Sequence, residues 1–184
     1  MPWLTYPRQV REENAQPLLD AQMLTPAPLT VGDDGSLIAP IELRGLPALV
    51  RVLGERWRRK SEFHLTALAA RATEPRVPID LAIGRSVGPV EVTEDLRRVS
   101  DPARAQLRTL IVLVRCDGLA RLYRELGLGI ELPPAHITLY STDPDAGIGI
   151  VNERELETRA PPLSAGERRA VREAIGFEEV FRGR

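Results

Sequence analysis

Two stretches of this chain follow one plan, and a repeated plan restricts the fold more tightly than composition can. Gly45 to Leu53 reads GLPALVRVL and Gly118 to Leu126 reads GLARLYREL, identical at five of nine positions. Leu46, Leu49, Val50 and Leu53 lie 18, 15, 14 and 11 residues before His64, and Leu119, Leu122, Tyr123 and Leu126 lie 17, 14, 13 and 10 before His136. Both sets recur at the spacing of one helix face, and Trp57 extends the first, so the pattern predicts an amphipathic helix ahead of each histidine. Each helix leads into an apolar strand, Glu62 to Ala69 in the first unit and Ala135 to Ser141 in the second. Two units of one design tend to pack about a pseudo-two-fold axis, which would bring the two histidine strands together across a central cleft.

Those histidines are the only two in the chain, and each sits in a His-x-Thr frame between apolar neighbours: Phe63-His64-Leu65-Thr66 and Ala135-His136-Ile137-Thr138. Residues i and i+2 of a strand point to one face, so each frame presents an imidazole beside a hydroxyl while Leu65 and Ile137 point into a core. A lone histidine in a strand is most often structural; two frames in register point to a site. In-line displacement at phosphorus needs a base for the incoming oxygen and an acid for the leaving one. An imidazole pKa of about 6.5 lets one neutral and one protonated copy coexist near neutral pH, and threonine hydroxyls suit the non-bridging oxygens. The candidate catalytic residues are therefore His64 and His136, with Thr66 and Thr138 as candidate phosphate-binding residues. Two histidines without a clustered carboxylate or cysteine do not make a zinc shell, so no metal or other cofactor is expected. Tyr140 shares the parity of His136 and Thr138, which allows either a stacking contact with a base or sugar or the closing of a sheet face.

The remaining sequence bounds the setting. Hydrophobic content of 43% and charged content of 28% are those of an ordinary globular protein, and a net charge of −1 excludes one that coats long nucleic acid. The longest apolar run, Leu110 to Val114, is too short to span a bilayer, Pro2 and Pro7 interrupt the start of the chain, and the lone Cys116 fits a reducing compartment. A cytoplasmic monomer without a membrane partner is expected. We divide the chain into an N-terminal arm (1–35), a core of two lobes (36–142) and a C-terminal extension packed on that core (143–184). Further strands are expected at Leu37 to Leu43, with Pro40 at an edge or bulge, and at Val77 to Ile83, Val90 to Leu96 and Leu107 to Cys116. Ser164-x-x-Glu167 is a capping box that should open a last helix, ended by Gly176. The basic run Arg56, Arg58, Arg59 and Lys60 is either a guide for an RNA end or the solvated face of the first helix.

The two His-x-Thr frames in apolar strands, about seventy residues apart and each preceded by a helical pattern, resemble the 2H phosphoesterase superfamily. This includes bacterial RNA 2′,3′-cyclic phosphodiesterases, long called 2′-5′ RNA ligases, and the cyclic phosphodiesterase parts of tRNA-splicing proteins. The resemblance covers roughly Leu37 to Ser141. It implies a bilobal α+β fold, with duplicated antiparallel sheets and outer helices around a V-shaped cleft. It also implies metal-independent opening of 2′,3′-cyclic phosphates at a site made of His64, Thr66, His136 and Thr138. The expected substrate is an RNA terminus or a small cyclic nucleotide. Two other readings stay open at this point: 2′-5′ ligation or 2′-5′ phosphodiester cleavage at the same site, and a catalytically silent domain that binds a nucleotide or an RNA end.

Overall fold

Alternating apolar residues dominate the second quarter of the chain and its middle, and there they build strands. The structure, a computed structural model, describes residues 23–70, 79–143 and 145–181. The strands are β1 (Met23–Leu24), β2 (Thr30–Val31), β3 (Leu37–Ile41), β4 (Leu49–Val52), β5 (Glu55–Arg59), β6 (Phe63–Leu68), β7 (Val90–Asp101), β8 (Arg104–Arg115) and β9 (His136–Ser141). The helices are α1 (Asp117–Glu125), α2 (Glu153–Arg159), α3 (Ala165–Ile175) and α4 (Phe177–Phe181). The class is α+β, with a large antiparallel sheet ordered β1-β7-β8-β9-β6-β3-β2. Two short strands complete the sheet: β5 pairs with the end of β9 through Arg58 opposite Ser141 and Arg59 opposite Tyr140, and β4 pairs with β5.

The two faces of the sheet are covered differently. One carries the main core, in which Ala39, Leu65, Ile137 and Leu139 meet Leu119 and Leu122 of α1, Val171 and Ile175 of α3, and Phe177 and Phe181 of α4. On the other face a smaller cluster joins Val99, Leu107 and Ile111 to Ile148, Ile150, Leu156 and Ala160, so the 146–160 segment with α2 roofs the β7–β8 end. Beyond that roof lie the positions on β9 and β6 that face away from the main core. Among the described residues no helix is long and apolar enough to cross a membrane.

Several expectations hold in detail. The second helix forms as α1, with Leu119, Leu122 and Tyr123 buried. Ser164 and Glu167 make the reciprocal capping box of α3, and Gly176 ends that helix in the left-handed conformation at φ 65°. Pro40 lies where β2 has stopped pairing with β3, at an edge, and its carbonyl accepts from Ala27 N–H at 2.7 Å. After β9 the chain adds Leu163, Val171, Ile175, Phe177 and Phe181 to the main core.

The first helix does not form. Gly45 to Trp57 makes the β4–β5 hairpin, turned at Leu53 and Gly54 with φ of 57° and 74°. Positive φ at both central residues is the geometry of a two-residue type I′ turn. Val50 pairs opposite Trp57, whose indole N–H donates to the Val52 carbonyl at 2.9 Å, so the apolar residues that mimic a helix stripe are cross-strand neighbours. The likeness of GLPALVRVL to GLARLYREL thus spans a strand in one copy and a helix in the other, and it carries no structural repeat. Nor do the histidine strands belong to two opposed sheets: β6 and β9 are neighbours in one sheet. Of the strand expected at Val77 to Ile83, Ile79–Leu81 is a 3-10 turn and the part through residue 78 lies outside the described residues. Residues 1–22 of the expected N-terminal arm also lie outside them, and the rest of the arm supplies the short strands β1 and β2.

Candidate active site

The site is a consequence of one register. β6 and β9 run antiparallel with Leu65 opposite Ile137, both fully buried in the main core. The side chains flanking this pair therefore point to the other face, His64 beside Thr138 and Thr66 beside His136. Directly opposed side chains in such a pair start about 5 Å apart and diagonal ones about 7–8 Å, so the histidines occupy one diagonal of a small rectangle and the threonines the other. The two-fold that relates the two frames is the local symmetry of an antiparallel strand pair, not one between two duplicated lobes. The four residues of the two His-x-Thr frames are brought together on one face.

The two imidazoles differ in setting. His136 is 7% exposed, and its Nδ1 lies 2.8 Å from the Pro134 carbonyl. A carbonyl only accepts, so Nδ1 carries a proton and the neutral ring presents its lone pair at Nε2. Burial pushes its pKa below the ordinary histidine range, the bond to Pro134 opposes that, and repulsion from His64 adds to it. His64 is only partly buried, and its Nδ1 lies in the interior without a hydrogen-bond partner among the described residues. Burial lowers its pKa as well, Lys60 lowers it further, and the carboxylates of Asp34 and Glu62 pull it back up. These two carboxylates favour the protonated form at His64 and have no counterpart among the causes acting on His136.

A groove of about 1140 Å³ opens beside this pair, and His64 and Thr66 line it together with Ile38 and Pro40 of β3 and the Gly32–Ser36 loop. His136 and Thr138, on the next strand, are not part of this lining. The loop is fixed by its own hydrogen bonds. The Asp34 carboxylate accepts from Ser36 N–H and hydroxyl, both at 2.9 Å, and Ser36 Oγ accepts from Ala70 N–H at 3.1 Å.

Tyr140 is not in the site. Thr138 pairs with Ile111 but Tyr140 pairs with Leu110, so β9 has two residues where β8 has one. That bulge at Leu139 resets the alternation. Tyr140 turns into the main core, fully buried, and donates its hydroxyl to the Pro47 carbonyl at 3.0 Å. Two features of the site escape the sequence reading. Pro134, which sets the histidine tautomer, carries no motif signal, and Lys60 is read only as one member of a basic run, either a guide for an RNA end or a helix face, with nothing to set it apart from its arginines. In the structure the run is strand β5: Arg56, Arg58 and Arg59 are exposed and Lys60, just past its end, is partly buried, and both Arg59 and Lys60 line the groove.

Among the described residues, no group of three or more histidine, cysteine or carboxylate side chains is placed to hold a metal ion. The chain matches no family model, no curated protein and no solved structure.

Proposed function

We propose that this protein is a cytoplasmic, metal-independent phosphodiesterase of the 2H type, which opens a 2′,3′-cyclic phosphate on an RNA end or a small nucleotide. The observation that carries the reading is the pair of His-x-Thr frames set side by side by the Leu65–Ile137 register, with the His136 tautomer held by Pro134. His136 Nε2 is the base. It takes a proton from water as the water oxygen attacks phosphorus. His64, the copy with carboxylates nearby, is the acid and protonates O3′ as the P–O3′ bond breaks. One water is consumed, and the product carries a 2′-phosphate and a 3′-hydroxyl. Thr66 and Thr138 hold the non-bridging oxygens, where donors aimed at developing charge act most strongly.

The test is incubation with a short RNA ending in a 2′,3′-cyclic phosphate, in EDTA, beside His64→Ala and His136→Ala. Conversion to a 2′-phosphate end is expected, with each variant slower by about 10² to 10⁴. Absence of turnover by the wild type, or turnover that survives both substitutions, would overturn the reading.

A further inference from the structure

We infer that Lys60 is the cationic anchor of the site and binds a non-bridging oxygen of the substrate phosphate between itself and His64. The inference rests on the phosphodiester reading above and adds a residue that the His-x-Thr frames do not contain. Lys60 is the only lysine in the chain, the other residues of the lysine and arginine total of 25 being arginine. Its backbone N–H donates to the Leu139 carbonyl at 3.0 Å, which extends the β5–β9 ladder one residue toward the site. Its Nζ donates to the Ala146 carbonyl at 3.3 Å. Ala146 packs on the smaller cluster, the one on the histidine side of the sheet, so the ammonium group lies on that side too. Lys60 also lines the groove with His64 and Thr66.

The electrostatics fit an anion there. Lys60 opposes positive charge on His64, and a phosphate oxygen bound between them would attract both groups. Burial disfavours the charged amine, while Asp145, Asp143 and Glu62 around it favour the charge. A compact ammonium with three donors suits one phosphate oxygen in a confined corner, where the planar fork of arginine needs a wider approach.

The experiment separates this claim from the reaction itself. Lys60→Gln and Lys60→Arg are assayed on the cyclic-phosphate RNA, and adenosine 2′-monophosphate binding is titrated on the His136→Ala background with and without Lys60→Gln. Loss of one such donor predicts a fall in kcat of about 10²-fold for Lys60→Gln, partly restored in Lys60→Arg, and nucleotide binding at least tenfold weaker in the double variant. The thermal midpoint of each variant checks that the Ala146 contact is not what the assay reports. A Lys60→Gln enzyme within threefold of an active wild type, or unchanged nucleotide binding in the double variant, overturns the role of Lys60 alone. A wild type that binds the nucleotide through Lys60 and turns over nothing overturns the catalytic reading and leaves the anion site standing.

Discussion

Replacing Tyr140 by phenylalanine distinguishes a core tyrosine from one that touches substrate. Strand parity puts its ring on the histidine face, whereas the bulge at Leu139 puts it in the core with its hydroxyl on Pro47. The ring is fully buried, and phenylalanine preserves its packing, so the substitution removes one hydrogen bond and little else. The acceptor it abandons belongs to an exposed proline, where water can replace the donor, and this places the cost near the low end for a lost hydrogen bond, about 1 kcal/mol. For a chain of this length that is a fall of about 2–4 °C in the thermal midpoint. Burial pushes the Tyr140 hydroxyl up to about 12, so it remains a donor and the effect should be the same at pH 6 and pH 9. Two measurements decide the matter: a thermal melt of the variant and its kcat/KM on the cyclic-phosphate RNA. A melt lowered by a few degrees with kcat/KM within twofold is expected. An unshifted melt with a tenfold loss of kcat/KM would refute the bulge argument and return Tyr140 to the site.

Other outcomes follow from the same contacts. Both histidines are held below the usual 6.5, chiefly by burial, so the bell-shaped kcat/KM profile should centre below pH 6.5; a centre above 7.5 would contradict the assigned environments. Between those lowered values and about 6.5 the unfolded chain binds more protons at these residues than the folded one, so stability should fall as pH drops through this window, as urea titrations at stepped pH would show. At Gly118 a Cβ would lie 1.6 Å from the Val87 carbonyl oxygen, so Gly118→Ala must push α1 off the Val87 loop, costing about 3 kcal/mol, and a melt within 2 °C of wild type would show the approach to be looser. Ser164→Ala removes the hydroxyl that accepts from Glu167 N–H and should lower stability by about 1 kcal/mol while leaving turnover unchanged, read by the same melt and assay.

The placement of the two His-x-Thr frames was more legible than their surroundings. His-x-Thr in an apolar run needs only strand alternation to place its polar side chains together, and alternation is local, so both frames came out as read. α1 and the capping box of α3 were equally local. The stretch Leu46 to Trp57 was not: its apolar residues satisfy a helical spacing, yet Pro47, the β-branched Val50 and Val52 and the Leu53-Gly54 pair suit a hairpin equally well. What tips the balance is the free edge of β9, which pairs with Arg58 and Arg59 and is invisible in the segment itself.

The sequence by itself determined which polar side chains share a strand face, because residue identity and a period of two are written into it. The tertiary structure alone decided that the two frames lie in neighbouring strands of one sheet, that Tyr140 leaves their face and that Lys60 joins it. Each of these depends on strand register, and register is set by hydrogen bonds between residues far apart in the chain, where a one-residue bulge is enough to turn a side chain from the groove to the core.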